Sequence, residues 1–199
     1  MIREDKNSTS AGAATTTVRP ATVCDVPVML EIINSYAGEQ IMLARSPLSL
    51  YEGIRDFVVA ERDGAIVGCG ALHIVWGEMA EVRSIAVRPS EKGNGTGRIL
   101  AERLLDDARQ LLITRAIAFT YVPGFFEKLG FRVVEHAELP HKVFSDCLNC
   151  PKFNCCDEIA MLIELSDSPE PLPGQGPLSR ALPNVYQGPF PVRKPTEEA

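Results

Sequence analysis

The sequence predicts an α/β domain built on one sheet of mixed strand direction. Its 199 residues are 45% hydrophobic, which is enough for one domain with a real core and too little for two full domains. Two strand-like segments flank Asp63-Gly64, a dipeptide typical of a tight hairpin turn between antiparallel strands. Further along, a strand pattern, a glycine run, a helical pattern and a second strand pattern follow one another, and such a unit favours parallel pairing.

The first half of the chain predicts three strands and one helix. The segment TTTVRP forms a short strand, and DVPVMLEIINSYAG follows as a helix with Asp25 as its N-cap and Gly38 as its stop. The apolar residues that recur there at helical spacing are Val26, Met29, Leu30, Ile33 and Tyr36. The segment DFVVAERDGAIVGCGALHI supplies both strands of the hairpin.

The second half predicts four more strands and two helices. AEVRSIAVRP is a strand closed by Pro89. RILAERLLDDARQLL is a helix whose apolar stripe consists of Leu100, Leu104, Ala108 and Leu111. RAIAFTY is then a strand, PGFFEKL a short helix, and FRVVEHAEL and EIAMLIEL are the last two strands.

The two ends of the chain differ in composition from the domain predicted for residues 16–165. Residues 1–15 carry almost no large apolar side chain, so we expect them to be disordered. Residues 166–199 contain eight of the 15 prolines, which favours an extended tail. The tail is either solvated or docked as a strap. In the second case, the docking residues are Leu182, Tyr186 and Phe190.

Charge and hydropathy argue against several classes of function. The net charge of −6 and the pI near 5.2 argue against nucleic acid as the main partner. No apolar stretch reaches the roughly 18 residues of a membrane span. The polar N-terminus does not resemble a secretory signal, so we expect a cytoplasmic protein with no membrane partner.

The run SEKGNGTGRIL places three glycines, Gly93, Gly95 and Gly97, just before a helical pattern. Glycines let backbone N–H groups approach an anion closely, and a helix start adds unpaired donors and a partial positive charge. A P-loop is excluded because no Lys-Ser or Lys-Thr follows Gly97. A GxGxxG fingerprint fails because its third glycine would fall on Arg98 or Leu100. The run therefore predicts a phosphate site of another type.

The same run resembles the acyl-CoA pyrophosphate loop of the GNAT superfamily of N-acetyltransferases. Lys92-Gly93-Asn94-Gly95-Thr96-Gly97 matches the family pattern [Q/R]xxGxG/A, with Lys92 where the family usually has Arg or Gln. The stretch VRSIAVRPSEKGNGTGRILAERLL resembles the central motif of the family, and PGFFEKLGFRVV resembles a second motif. The resemblance implies the GNAT fold, a mixed and mostly antiparallel sheet flanked by helices, with acetyl-CoA as co-substrate and no required metal.

By this resemblance, one strand and one loop contact acetyl-CoA. The family carries a bulge in the strand EVRSIAV, which opens the acetyl site and frees the backbone N–H groups of Ile85 and Val87 for the thioester oxygen and the pantetheine arm. Without a bulge, Glu81, Arg83 and Ile85 would share one face of that strand. The predicted acetyl-CoA contacts are Ile85, Ala86, Val87, Lys92, Gly93, Asn94, Gly95, Thr96, Gly97 and Arg98.

Acetyl transfer to an amine requires a base and a group that assists the leaving thiolate. An ammonium has no lone pair, so a carboxylate or His is needed to take its proton directly or through one water. Glu78 and Glu81 flank the start of the central strand, and Glu81 is the predicted base. Many family members place a Tyr acid at the second residue of the aromatic pair, but here Phe126 cannot donate a proton. Thr120 and Tyr121 are the donors nearby, and a thiolate with a pKa of about 8.5 needs little help in leaving.

Residues 37–74 resemble the acetyltransferase domain of bacterial N-acetylglutamate synthases. The matching runs are Ile41 to Ser46, Ile54 to Phe57 and Cys69 to Leu72. The resemblance implies L-glutamate as the acceptor, at the first step of arginine biosynthesis. Two substrate carboxylates beside a carboxylate base require cations nearby. The predicted substrate-binding residues are Arg45, Ser46, Arg83 and Lys142.

Two other functions stay open at this point. One is a GNAT enzyme acting on another small amine, a peptide N-terminus or lysine. The other is an acyl-CoA-binding regulator with weak catalysis. GNAT proteins often dimerise, so the resemblance also allows a homodimer.

A cysteine-rich segment, residues 141–158, lies near the end of the predicted domain. It contains C-x2-C-x4-C-C, formed by Cys147, Cys150, Cys155 and Cys156. One C-x2-C pair suits a zinc knuckle, but the second half lacks that spacing, and adjacent cysteines seldom bind one zinc together. Free thiols, a redox switch and a metal site all stay open, as does a lid over the substrate pocket.

Overall fold

In the computed structural model, residues 15–139, 152 and 155–165 are described, and they form a seven-stranded sheet. The strands are β1 (Thr17–Pro20), β2 (Phe57–Arg62), β3 (Ala65–Trp76), β4 (Met79–Val87), β5 (Arg115–Thr120), β6 (Arg132–Val133) and β7 (Ile159–Glu164). Their order in the sheet is β1-β2-β3-β4-β5-β7-β6, and the β4–β5 pair is parallel while the other pairs are antiparallel. The predicted mixed, mostly antiparallel sheet is confirmed.

Four α-helices and four short 3-10 helices connect the strands in this part of the chain. The α-helices are α1 (Val26–Gly38), α2 (Pro47–Glu52), α3 (Thr96–Gln110) and α4 (Pro123–Glu127). The 3-10 helices are Val23–Asp25, Ile54–Asp56, Pro89–Glu91 and His136–Glu138. None of the described helices combines the length and the apolar character that crossing a bilayer requires.

The helix α3 packs closely on β3 and β4. Two glycines of β3 make room for it: a Cβ on Gly68 would lie 3.2 Å from Leu100 Cδ1, and one on Gly70 would lie 3.1 Å from Leu104 Cδ1. The predicted apolar stripe is confirmed except at Leu111, which is 59% exposed. The prediction failed there because the helix ends one residue earlier, so Leu111 turns away from the sheet.

The helices α1 and α2 cover the opposite face of the sheet. Their core contains Met29, Ile33 and Leu50, packed against residues of β2 and β3. Cys69 of β3 lies in this core, and burial raises the pKa of its thiol to about 12. Cys69 is therefore an apolar core residue and no nucleophile at neutral pH.

The strand predicted for FRVVEHAEL is shorter than expected. β6 pairs with β7 at Arg132 and Val133, and the chain then turns into the 3-10 helix His136–Glu138. The N–H of Glu135 donates to Oε1 of Glu138 at 2.9 Å, so a local side-chain acceptor replaces the strand ladder.

The strands β4 and β5 separate soon after they begin. Their parallel register joins Met79, Ala80 and Glu81 to the first three residues of β5. Beyond Glu81, β4 continues to Val87 beside β3, whereas β5 continues beside β7. The sheet therefore opens between β4 and β5 on the C-terminal side of Glu81.

Asp25 ties β1 to the start of α1. Arg19 donates to the two carboxylate oxygens of Asp25 at 2.7 and 3.0 Å, and the Thr22 N–H donates at 2.7 Å. Asp25 is the N-cap residue of α1 as predicted, but its side chain makes these contacts and not a cap hydrogen bond to the helix. The hydrogen bond from Arg19 lowers the pKa of Asp25 to about 2.

Replacing Asp25 with Asn should destabilise the protein at neutral pH by about 1.5–3 kcal/mol, the typical contribution of a hydrogen bond to a charged group. The folded-state pKa of about 2 lies below the ordinary 3.8, so this stability is present above about pH 4 and lost as the pH falls through about 2. Urea unfolding of both proteins between pH 2 and 7 measures the difference. If the difference in unfolding free energy between the two proteins stayed constant as the pH fell below about 4, Asp25 would not have the stabilising role assigned to it.

Candidate active site

The described residues line a cleft of about 1340 Å³ where β4 and β5 diverge. Its walls come from the loop 41–45, from β4, from the glycine run and from the end of β5 with α4. Nine of the predicted acetyl-CoA contacts line it: Ile85, Ala86, Val87, Lys92, Gly93, Gly95, Thr96, Gly97 and Arg98. Asn94 is not among the lining residues, and its side-chain amide donates to Glu91 at 3.2 Å.

A bulge in β4 shapes one wall of the cleft. Ser84 and Ile85 together occupy the position opposite Gly70 of β3, and Ser84 has a positive φ of 55°. The bulge that the family resemblance implied is therefore present.

The bulge also changes which residues of β4 share a face. Val82 and Ile85 both pack on the α3 side of the sheet, although they are three residues apart. Glu81 and Arg83 lie on the α1 side, opposite His73 and Ala71 of β3. An unbroken strand would place Glu81, Arg83 and Ile85 on one face. The extra residue of the bulge shifts the alternation by one, so Ile85 lies on the opposite face from the other two.

The glycine run turns into α3 as the sequence predicted. Gly93 and Gly95 have φ values of 85° and 80°, a left-handed conformation that residues with a Cβ adopt only at a cost. α3 begins at Thr96. Gly97 is already helical, and a Cβ there would make an ordinary contact of 3.5 Å with the Phe125 ring.

Charged residues hold the glycine run in place. Glu91, just before the run, pairs with Arg62 at the end of β2, and Arg62 also donates to Thr16 Oγ1 at 2.7 Å. Because Glu91 lines the cleft, Arg62 offsets a carboxylate that would otherwise repel an anionic ligand.

Two cations of the run, Lys92 and Arg98, line the cleft. The ammonium of Lys92 lies 4.7 Å from the centre of the Tyr36 ring. Nε of Arg98 lies 2.7 Å from Glu102 one turn further along α3. Positive groups beside a helix start favour an anion at this position.

Thr96 provides a direct test of whether a phosphate fits here. The residue is 1% exposed and lines the cleft, and its hydroxyl has no hydrogen-bond partner among the described residues. Leaving a buried hydroxyl unpaired costs about 1–3 kcal/mol. A phosphate oxygen at the start of α3 would accept from this hydroxyl and from the backbone N–H groups. The run therefore fits the diphosphate of coenzyme A.

Glu81 lies at the inner end of the cleft, where β4 and β5 part. It is 4% exposed, and its Oε2 is 3.6 Å from Nη1 of Arg83. Nη2 of Arg83 is 3.9 Å from Asp56 Oδ2, and that oxygen is 2.8 Å from Nδ1 of His73. Acidic and basic groups therefore alternate from Glu81 outward, which offsets the cost of burying its carboxylate.

Asp56 and His73 do not line the cleft, and their place in this chain of contacts was not predicted from the sequence. Asp56 ends the 3-10 helix before β2, and His73 lies in β3 directly opposite Glu81. The strand register brings them together, and the sequence does not state that register. The sequence did offer one signal: His73 follows Cys69 and Ala71 at alternate positions of a hairpin strand, so the three side chains share one face of the sheet.

Arg45 enters the cleft from the loop after α1. Asn34 holds the Arg45 backbone from both sides: its amide oxygen accepts from Arg45 N at 2.9 Å, and its amide nitrogen donates to Arg45 O at 3.0 Å. Nε of Arg45 lies 3.3 Å from Ser84 Oγ on the bulge. Ser46 does not line the cleft, and its hydroxyl caps α2 by accepting from Ser49 N at 3.1 Å.

The hydroxyl groups of Thr120 and Tyr121 have different hydrogen-bond partners. Thr120 lines the cleft, and its oxygen accepts from Val122 N–H at 3.0 Å, so its own proton can be donated into the cleft. Tyr121 is not a lining residue; it donates to Asp157 at 2.7 Å and accepts from Lys152 at 2.8 Å. Burial raises the pKa of Tyr121, and the hydrogen bond from Tyr121 lowers the pKa of Asp157.

Part of the cysteine-rich segment lies outside the described residues, including Lys142, Cys147 and Cys150. Cys155 and Cys156 are exposed free thiols that line the cleft. Within residues 15–139, 152 and 155–165, no group of three or more His, Cys, Asp or Glu side chains could hold a metal ion.

Comparison with known proteins gives matches in both sequence and structure. A family model described as the acetyltransferase (GNAT) family matches residues 29–131. A protein of Chlorobaculum tepidum, named as an uncharacterized N-acetyltransferase, is 39% identical over 150 residues, which cover 75% of this chain and 97% of that protein. The amino-acid acetyltransferase of Mycobacterium tuberculosis is 38% identical over 132 residues, which cover 65% of this chain and 75% of the relative.

The structural comparison includes a ligand-bound synthase. N-acetylglutamate synthase from Neisseria gonorrhoeae, complexed with coenzyme A and N-acetyl-glutamate, superposes with a TM-score of 0.70 at 27% sequence identity. The match covers 78% of this chain and 36% of that synthase chain, so it concerns one part of the larger protein.

Replacing Gly95 with Ala should lower the free energy of unfolding by about 1–2 kcal/mol, because the left-handed conformation disfavours a Cβ. Gly97→Ala is the matched control: this position has an ordinary helical backbone and room for a Cβ, so we expect no loss of stability. Urea unfolding of the two variants and the wild type measures both. Equal losses from the two substitutions would contradict the role assigned to the Gly95 backbone.

Proposed function

The chain belongs to the GNAT family of acetyltransferases, and on this premise we propose that it transfers the acetyl group of acetyl-CoA to the α-amine of L-glutamate. The family and the relatives named amino-acid acetyltransferase support the coarser activity, acetyl-CoA-dependent N-acetylation of an amino acid. The reaction would open arginine biosynthesis. The homodimer that the family resemblance allows stays a prediction.

One observation carries the choice of glutamate: two guanidinium groups, Arg45 and Arg83, line the same cleft as the buried carboxylate of Glu81. An acidic amino acid would add two carboxylates beside that one. Such a cluster is tolerated only if cations offset it, and guanidinium forks match carboxylates bidentately. The synthase complex with N-acetyl-glutamate supports the same acceptor.

Bound acetyl-CoA would supply an activated thioester carbonyl. The backbone N–H groups of the glycine run and the Thr96 hydroxyl would hold its diphosphate. The backbone N–H groups of Ile85 and Val87 are proposed to donate to the carbonyl oxygen and to the pantetheine arm, which would place the acetyl carbon beside the opened edge of β4.

Glu81 acts as the base in this proposal. It accepts a proton from the α-ammonium, directly or through one water, and so exposes the lone pair that attacks the acetyl carbon. Nη1 of Arg83 lies 3.6 Å from Oε2 of Glu81, and its positive charge offsets the cost of burying that carboxylate.

Thr120 is the better of the two predicted donors toward the leaving thiolate. Its hydroxyl lines the cleft and has a proton to donate, whereas the proton of Tyr121 is directed to Asp157. Because a thiolate is a good leaving group, a hydrogen bond from Thr120 would suffice without full proton transfer.

A thiol-release assay over the standard amino acids tests the proposed acceptor. Glutamate-dependent release, with N-acetylglutamate identified by mass spectrometry, would support it. Release with other amines in place of glutamate would indicate a GNAT enzyme of different specificity. Binding of coenzyme A without turnover on any amine would indicate a regulator.

Replacing Glu81 with Gln should lower kcat about 100-fold or more, the usual contribution of a general base, while the KM for acetyl-CoA changes little. Glu127→Gln in α4 is the control, because Glu127 is exposed and does not line the cleft. Steady-state kinetics on both variants decide the matter. An unchanged kcat for Glu81→Gln would refute Glu81 as the base.

Replacing Arg45 with Ala should raise the KM for glutamate about 10- to 100-fold, because a charged hydrogen bond contributes about 1.5–3 kcal/mol. The glutamate KM of Arg45→Lys should lie between those of the wild type and Arg45→Ala, since lysine keeps the positive charge and loses the guanidinium fork. Arg109→Ala, which removes an exposed arginine of α3 paired with Asp106, is the control. If the glutamate KM of Arg45→Ala matched that of the control, Arg45 would not bind the substrate.

A further inference from the structure

We propose that Tyr36 is a positioning residue for acetyl-CoA, because it connects Lys92 of the glycine run to the end of β4. Tyr36 lies in the last turns of α1 and lines the cleft. The sequence pattern placed it with the apolar residues of that helix. The proposal rests on acetyl-CoA binding and is independent of which amine accepts the acetyl group.

The hydroxyl of Tyr36 fixes the end of β4. It donates to the carbonyl oxygen of Val87, the last residue of that strand, where β4 no longer pairs with β5. Val87 in turn packs at the start of α3, since its Cγ2 would lie 3.5 Å from a Cβ on Gly97. The hydrogen bond therefore sets the separation between β4 and the helix start that would bind the diphosphate.

The ring of Tyr36 orients the Lys92 ammonium, which lies 4.7 Å from the ring centre, within the range of a cation–π interaction. Lys92 is exposed, and a freely rotating lysine loses rotamer entropy when it binds a phosphate. A ring that already restricts the side chain removes part of that loss. An ammonium has three N–H donors, so Lys92 can stay over the ring and still donate to a phosphate oxygen.

The ring can orient Lys92 because Tyr36 itself is held firmly. Its side chain packs against the core between α1 and the sheet. Its carbonyl oxygen accepts hydrogen bonds from the N–H groups of Glu39 and Ile41, both at 3.2 Å. The neighbouring carboxylate Glu91 is engaged by Arg62 and Asn94, so it does not draw Lys92 away from the ring.

The experiment measures the Kd for coenzyme A by calorimetry on the full chain at one fixed salt concentration. The variants are Tyr36→Phe, which keeps the ring and loses the hydroxyl, and Tyr36→Leu, which loses both. Each is made in the wild-type protein and in a Lys92→Met background. Tyr51→Leu is the control, because Tyr51 is a half-exposed tyrosine of α2 that does not line the cleft.

We expect Tyr36→Phe to raise the Kd about threefold through loss of the hydrogen bond to Val87. Tyr36→Leu should raise it about fivefold more through loss of the ring. In the Lys92→Met background, Tyr36→Leu and Tyr36→Phe should have equal Kd values, because no cation remains for the ring to orient. The Tyr51→Leu control should match the wild type.

Two results would overturn the proposal. Equal Kd values for Tyr36→Phe and Tyr36→Leu in the presence of Lys92 would show that the ring does not act on binding. A fivefold difference that persists in the Lys92→Met background would show that the ring acts by packing alone. If Tyr36→Leu does not fold, NMR of the wild-type chain decides: upfield-shifted Lys92 ε-protons that persist with saturating coenzyme A support the proposal, and unshifted ones overturn it.

Discussion

The site depends on one constraint: β4 and β5 pair over three residues and then part. A strand that leaves its neighbour exposes backbone groups, and in a folded protein such groups need other partners. Here the bulge at Ser84 and the start of α3 border the opening. Residues of both flanking features line the cleft, so the gap in the sheet becomes part of it.

The carboxylates that line the cleft are paired with arginines. Glu81 and Glu91 both line it, and each has an arginine as counterion: Arg83 for the first and Arg62 for the second. Without these partners, the two carboxylates would repel an anionic cofactor and an acidic substrate. The pairing would allow the proposed base, Glu81, and a polyanionic ligand to occupy one cavity.

The sequence predicted the parts of this structure that local chemistry determines. The hairpin at Asp63-Gly64 and a helix at the end of the glycine run follow from backbone preferences of single residues, and both are confirmed, although α3 begins at Thr96 and not at Arg98. The chain of contacts through Asp56 and His73 could not be predicted, because it forms only once the strands have paired and placed His73 opposite Glu81. The apolar spacing also did not reveal the end of α3 before Leu111, where the backbone turns left-handed at Leu112 with a φ of 60°.

The bulge at Ser84 also limits how this strand can change length. It lets Glu81 and Ala86 lie on the same side of the sheet although they are five positions apart in the chain. Removing one residue between them would leave both on that side, now four positions apart, but it would remove the bulge that shapes the wall of the cleft. Adding one residue would turn one of the two to the opposite side. Natural variation in this stretch should therefore proceed by exchange of side chains, while insertions and deletions collect in the turns.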